Sequence, residues 1–175
     1  MFPIVHPAVG YLCYAAYTRL REGDPPDGAP ALVAVIAATL PDLIDQPLWL
    51  VGVTPVGRTL AHSLLTALPL VCIVLLFTHR RGRLPLGIAF AIGYLSHLAA
   101  DVPWHVLAGA YDELGFLLWP ITHMPAYTGT KVLWTVGGIE MTTLWIEAVI
   151  FAVGVGVWWS DGRPGLEMLR SRFRR

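Results

Sequence analysis

Charged residues are scarce in this sequence. Asp, Glu, Lys and Arg make up only 14% of its 175 residues, whereas 55% are hydrophobic and the mean hydropathy is +0.60. An ordinary soluble domain has charge on about 25% of its residues, so this composition excludes that class. We therefore predict an all-α fold, a polytopic helical membrane bundle in which residues 1–175 form a single membrane-embedded domain.

Signals of several other protein classes are also missing. The only two cysteines, Cys13 and Cys72, lie in apolar runs without metal-type spacing, so we expect small core residues rather than ligands. No basic region precedes the first apolar run, which argues against a cleaved signal peptide. No basic face is interleaved with aromatic residues, so we expect no nucleic-acid partner. A Ser-His-Asp triad, a phosphate-binding loop and a dinucleotide fingerprint are not apparent either.

What the sequence does contain is a series of apolar runs. We predict about five membrane spans, separated by loops that are rich in proline, glycine and charge. Pro41 and Pro47 predict a break within the second span. The predicted spans cover residues 4–20, 31–53, 60–78, 85–110 and 132–159, and residues 111–131 form a longer connection at the membrane surface.

The arginines indicate an orientation for these spans. They cluster after the first span (Arg19 and Arg21), between the third and fourth (Arg80, Arg81 and Arg83) and in the tail, residues 163–175. Lys and Arg accumulate in the cytoplasmic loops of membrane proteins. We therefore predict a multi-pass protein of the cell membrane, with its N-terminus outside and its C-terminus inside.

Side chains of the metal-ligand type fall at one depth in four of the predicted spans. His97 and Asp101 are four residues apart, so they share one face of a helix. A carboxylate near the bilayer centre costs about 3 kcal/mol and therefore needs a metal ion, a proton or another cation as its partner. The other candidates in the outer half of the bundle are His6, Asp42, Asp45 and His62. Imidazole and carboxylate ligands suit one or two divalent ions, with zinc expected and manganese as the alternative.

Further polar residues have weaker claims to a role in this site. His105 and His123 suit either additional ligands or interfacial positions, and His79 suits a solvated loop. Glu140 and Glu147 share one face of the fifth predicted span and point into the bundle. Glu140 is nearer the outer side and suits a ligand or a base, whereas the deeper Glu147 suits a structural role.

Five short motifs follow one another over most of the first two thirds of the chain. They are His6-Pro-Ala-Val-Gly10, Leu40-Pro-Asp-Leu-Ile-Asp45, Arg58-Thr-Leu-Ala-His62-Ser63, Gly93-Tyr-Leu-Ser-His-Leu-Ala-Ala-Asp101 and Trp119-Pro120. Their types and order resemble the YdjM-type family of inner-membrane proteins, whose inferred activity is metal-dependent hydrolysis. That family is distantly similar to zinc-dependent phospholipase C and related single-strand nucleases. By this resemblance the metal ligands are His6, Asp42 or Asp45, His62, His97 and Asp101.

The resemblance and the candidate ligands together favour metal-assisted hydrolysis. The expected substrate is a phosphoester, with a membrane lipid head group as its source, and ester or amide hydrolysis stays open. We assign Asp42 as a ligand, and Asp45 and Glu140 as general acid–base groups. One alternative is a transporter or ion-coupled carrier, which needs polar residues that continue to the cytoplasmic side, where Glu147 is nearly the only one. The other alternative is a non-catalytic membrane protein with a structural metal site.

Overall fold

In a computed structural model of the chain, the residues described are 2–102, 106, 109, 111–124 and 141–173. Every regular element within these ranges is helical, which confirms the all-α prediction. The helices are α1 (His6–Glu22), α2 (Gly28–Ala37), α3 (Leu40–Leu50), α4 (Leu64–Arg80), α5 (Leu84–Ala100), α6 (Met141–Ser160) and α7 (Leu166–Phe173), with a 3₁₀ helix at Tyr111–Leu118.

The helices differ in their capacity to cross a membrane. Among the described residues, the stretch Gly28–Leu50, which comprises α2 and α3, is the one segment long and apolar enough to span a bilayer, at 23 residues. Helices α4 and α5 and the segment Leu144–Ser160 of α6 are apolar but shorter. The five spans and their orientation therefore stay predictions.

Two helix ends differ from the predicted spans. The break in the second span lies between α2 and α3, ahead of Pro41 rather than across Pro41 and Pro47. Pro41 occupies the first turn of α3, where its missing N–H is not needed, and the helix continues past Pro47. Helix α5 ends at Ala100, so Asp101 follows the helix instead of lying inside a span that continues to residue 110.

Helices α1, α2 and α5 approach one another closely through small residues. A Cβ atom on Gly10 would lie 2.5 Å from Ala38 Cβ, and one on Gly93 would overlap the carbonyl group of Ala34. Small residues that let backbones meet in this way are typical of helix packing in membranes. This contact holds the C-terminal end of α2 against the last turns of α5.

Helix α6 packs on α1 and runs in the same direction. The backbone N–H of Phe2 donates to Glu147 Oε2 at 2.9 Å. Further along both helices, the Tyr11 hydroxyl donates to Asp161 Oδ2 at 2.5 Å, and Arg19 pairs with the same carboxylate. Glu147 thus joins the N-terminal segment to α6 at the end of the bundle where α1 begins, so the deeper, cytoplasmic-side position predicted for it is wrong.

The helices alternate in direction, and this separates two kinds of polar residue. Helices α1, α3 and α4 begin, and α2 and α5 finish, at the end of the bundle that carries the candidate ligands. The arginines of the last turn of α1 and of the α4–α5 connection lie at the opposite end. These are Arg19, Arg21, Arg80, Arg81 and Arg83.

The two cysteines correct one prediction. Cys13 and Cys72 are exposed on the outer surface of the helices, not buried in the core. The outer faces of this bundle are themselves apolar; Ile73 and Leu76 of α4, for example, are 64% and 59% exposed. An apolar run therefore does not distinguish the inner face of a helix from the outer face in this chain.

Candidate metal centre

The five ligands predicted from the sequence converge at one end of the bundle. His6 begins α1, Asp42 lies in the first turn of α3, and His62 directly precedes the N-cap of α4. His97 lies in the last turn of α5, and Asp101 follows that helix. The three histidines are 0% exposed, and Asp101 and Asp42 are 3% and 9% exposed.

Their ligand atoms face a common centre. One ligand atom from each of Asp42, His62, His97 and Asp101 lies within 4.8 Å of the others, so this buried group could hold a metal ion. The Nε2 atom of His6 lies at the edge of the same group, 3.2 Å from Asp101 Oδ1 and 3.8 Å from Asp42 Oδ2. The structure therefore brings together every residue that the sequence analysis assigned as a ligand.

The outer ring nitrogens of two histidines already have partners. His97 Nδ1 lies 2.7 Å from the carbonyl oxygen of Ala38, and His62 Nδ1 lies 2.8 Å from Asp45 Oδ2. A carbonyl and a carboxylate only accept hydrogen bonds, so Nδ1 carries the proton in each neutral ring and Nε2 keeps a lone pair. Metal-ligating histidines have outer partners of this kind.

The inner nitrogens fit a metal ion. The Nε2 atoms of His62 and His97 are 3.0 Å apart, and Asp101 Oδ2 lies 3.3 Å from the former. Acceptor atoms this close repel each other unless a cation lies between them. Within the described part of the chain, both ring nitrogens of the buried His6 lack a hydrogen-bond partner, which is costly in an apolar interior. A divalent ion would offset the repulsion between the acceptor atoms and would give His6 a partner. Imidazole and carboxylate together are a suitable donor set for such an ion.

Asp45 lies outside this ligand group. Its carboxylate accepts hydrogen bonds from the backbone N–H groups of Thr59, Ala61 and His62, at 2.8, 3.1 and 3.3 Å, and from the His62 ring. It is 0% exposed. This geometry favours a positioning role for Asp45, which orients His62 and shapes the loop before α4, whereas the sequence analysis assigned it to proton transfer.

The loop between α3 and α4 is also held by its neighbours. The Tyr94 hydroxyl of α5 donates to the carbonyl oxygen of Ala61 at 2.7 Å. Ser63 caps α4 by accepting from the N–H of Leu65, and its hydroxyl donates to the carbonyl oxygen of Trp119 at 2.7 Å. These contacts keep His62 in place between α5 and the segment that follows the 3₁₀ helix.

Arg58 is a site residue to which the sequence analysis gave no role. Its Nε donates to Asp101 Oδ2 at 2.9 Å, its guanidinium lies 5.9 Å from the centroid of the Phe116 ring, and its side chain is 21% exposed. A partly exposed guanidinium beside buried carboxylates offsets their charge and can bind an anion. A signal was present, since Arg58 is the one arginine at the predicted outer end of the bundle.

The remaining candidates take no described part in the group. His123 is exposed beyond the 3₁₀ helix, and His79 is exposed in the last turn of α4 at the opposite end. Glu147 contacts the backbone of the N-terminal segment. His105 and Glu140, the latter predicted as an acid–base group, lie outside the described residues.

Comparison with curated proteins and with solved structures gives no significant match. A family model does match: the one described as YdjM inner membrane protein covers residues 1–169, a range that includes the five converging candidate ligands and Arg58. This agrees with the resemblance seen in the five motifs, and the family's description indicates a membrane location. The chain belongs to the YdjM inner membrane protein family.

Proposed function

We propose that this protein is a membrane-bound, metal-dependent hydrolase that cleaves a phosphoester, with a lipid head group as its substrate. The observation that carries the proposal is the buried group of imidazoles and carboxylates, in which the outer nitrogens of His62 and His97 are hydrogen-bonded and the inner ones face each other. A divalent ion held by these residues would lower the pKa of a water molecule toward about 7 and would so supply a nucleophile at neutral pH. Zinc is the ion that this donor set suits best, and manganese is the alternative.

One side of the centre supports access by an anionic substrate. The three histidine side chains are 0% exposed, whereas those of Asp42 and Arg58 are 11% and 21% exposed. A substrate would therefore approach past these two residues. The guanidinium of Arg58 would attract the charged oxygens of a phosphoester, which favours that class over neutral esters and amides.

The remaining roles are divided between positioning and proton transfer. Asp45 orients the His62 ring, and Tyr94 anchors the loop that carries it. Glu140 stays the predicted acid–base group. The membrane location of the family supports a lipid as the source of the phosphoester, since the substrate is then present in the same phase as the site.

Two rival functions are distinguished by packing and burial. A carrier needs a polar path from the site to the arginine end, but within the described ranges that interior is filled by apolar clusters around Tyr14, Ala34 and Ala89. A structural metal site is favoured by the complete burial of the three histidines, because structural sites are closed. Turnover is therefore the property that separates the proposed hydrolase from a structural site.

The experiment is a substrate panel with detergent-purified, zinc-loaded protein in mixed micelles containing phospholipids, soluble phosphodiesters and neutral carboxylic esters. We expect release of phosphate-containing products by the wild type and none by His97→Ala, which lacks a ligand. Arg58→Gln should keep its metal but lose roughly 10- to 100-fold in kcat/KM on phosphoesters, the scale of one charge-assisted hydrogen bond. Metal-loaded wild type that turns over nothing on the panel would remove the hydrolase proposal in favour of the structural site.

A further inference from the structure

The carboxylates of Asp42 and Asp101 turn their two oxygens toward different histidines. On one side, Asp42 Oδ1 lies 3.7 and 4.0 Å from the Nε2 atoms of His62 and His97, and Asp101 Oδ2 lies 3.3 and 3.8 Å from the same atoms. On the other side, Asp101 Oδ1 and Asp42 Oδ2 lie 3.2 and 3.8 Å from Nε2 of His6. The centre therefore contains two groups of donor atoms that share both carboxylates.

The ring geometry indicates that these groups do not serve one ion. The rings of His62 and His97 meet edge to face at 61°, with Nε2 atoms 3.0 Å apart, close to the roughly 3.4 Å expected between two nitrogens on one tetrahedral zinc ion. The ring of His6, in contrast, stacks on that of His97, with centroids 3.8 Å apart and 29° between planes. A ring nitrogen directs its lone pair in the plane of its ring. Because the rings of His6 and His97 are stacked, their Nε2 lone pairs are directed to two different positions.

His6 also needs a partner of its own. It is 0% exposed, and among the described residues neither of its ring nitrogens makes a hydrogen bond. Its Nε2 lies 3.2 Å from Asp101 Oδ1 and 3.8 Å from Asp42 Oδ2, which are not the oxygens that lie close to His62 and His97 in the other group. A buried imidazole aimed at two carboxylate oxygens is a suitable set of ligands for a second divalent cation.

We infer that the centre binds two divalent ions, one at His62 and His97 and one at His6, with Asp42 and Asp101 as bridging ligands. This inference deepens the proposed function and rests on it for its chemistry, since a pair of ions suits displacement at a phosphoester, where both the attacking and the leaving oxygen need stabilisation. The ligand assignment itself rests only on the geometry above.

The test is a titration of metal-free, detergent-purified protein with Mn²⁺, followed by elemental analysis after gel filtration and by electron paramagnetic resonance. Wild type should bind two equivalents, and the second should produce an exchange-coupled signal because shared carboxylates connect the ions. His6→Gln should bind one equivalent with an uncoupled signal. The matched control is His79→Gln, which changes an exposed histidine at the opposite end and should bind two.

Two results would overturn the inference. One is wild type that saturates at a single equivalent without a coupled signal, a measurement that stands even if His6→Gln fails to fold. The other is folded His6→Gln that still binds two coupled ions. A coupled pair in a protein that hydrolyses nothing would refute the proposed function and leave this inference intact. A single-ion enzyme that hydrolyses phosphoesters would refute this inference and leave the proposed function intact.

Discussion

His62 illustrates how a single side chain is oriented in the candidate metal centre. Asp45 takes the proton-bearing nitrogen of its ring, and the backbone N–H groups around the same carboxylate hold the loop in place. Such outer partners determine both the tautomer and the direction of a histidine ligand. The chemistry of the centre therefore depends on Asp45 as well as on the residues that face inward.

The first prediction concerns this outer partner. Asp45→Asn should weaken zinc affinity about 10- to 100-fold, the usual cost of losing such a partner. Asparagine has one neutral acceptor oxygen where the carboxylate has two charged ones. Either this single oxygen accepts from the N–H groups of Thr59 and Ala61 and from the His62 ring, or the NH₂ group faces one of these donors. Competition with a chromophoric chelator measures the affinity, and the exposed Asp24→Asn serves as the control. Unchanged affinity with lost hydrolysis would instead restore the proton-transfer role predicted from the sequence.

Residue type and depth predict which side chains converge in the candidate centre, but they do not predict which of these side chains face inward and which act as outer partners. Asp42 and Asp45 are three residues apart on one helix, and nothing local separates a ligand from a positioning group. The difference arises because residues 59–62 fold back over Asp45, a contact between segments that no periodicity encodes. Arg58 is marked in the sequence as the one arginine at the predicted outer end, but its partner Asp101 lies on a distant part of the chain and is identified only by the structure.

At the scale of elements, the centre is built from helix ends. All five candidate ligands lie in the first or last turn of a helix or within two residues of one, and the outer partner of His97 is the carbonyl of Ala38, in the break between α2 and α3. That carbonyl is in place because α2 and α5 touch at Ala34 and Gly93. The close packing of α2 on α5 therefore also determines how the ring of His97 is oriented.

The second prediction tests that coupling. Gly93→Ala adds a Cβ that overlaps the Ala34 carbonyl, and we expect a loss of stability of about 1–3 kcal/mol together with weaker metal binding. The matched control is Gly156→Ala in α6, where no described atom lies within 4 Å of the added Cβ and up to about 1 kcal/mol of stability should be gained. Thermal unfolding in detergent and zinc competition are the measurements. Equal behaviour of the two variants would contradict the packing argument.

Helix boundaries were predictable only where composition marks them. The charged turn after α4 and the loop after α1 were located correctly, whereas the end of α5 was placed up to ten residues too late. The apolar run there continues beyond Asp101, so hydropathy alone contains no stop signal. A local stop signal of another kind is present, because Pro103 follows Asp101 by two residues and a proline cannot continue a helix. Contacts of Asp101 with His6 and Arg58 add to it.

At the scale of the whole molecule, the alternation of helix directions puts the ligands at one end and most arginines at the other. The helical bundle and the common depth of the candidate ligands follow from hydropathy and from the lengths of the apolar runs, and the single domain stays a prediction. Hydropathy does not distinguish the inner face of a helix from its outer face, because both faces are apolar. The prediction that the cysteines lie in the core is wrong for this reason. Membrane orientation rests on the arginines alone.

The third prediction concerns this orientation. In a cysteine-free background, with Cys13 and Cys72 replaced by Ala, we expect His79→Cys to react with membrane-impermeant thiol reagents only from the cytoplasmic side. Val53→Cys, in the exposed loop at the ligand end, should react from outside. Neither substitution changes the arginines from which the orientation is predicted. The reverse labelling would put the centre on the cytoplasmic face and exclude a substrate in the outer leaflet.

The central claim is that the buried imidazole and carboxylate group is a metal centre, and elemental analysis of detergent-purified protein tests it most directly. We expect at least one equivalent of zinc or manganese in the wild type, as its donor set requires. The double variant His97→Ala/Asp101→Ala should lose most of it, whereas the exposed pair His79→Ala/Asp24→Ala should retain it. Wild type purified or reconstituted without bound metal, or full retention by the first double variant, would contradict the account.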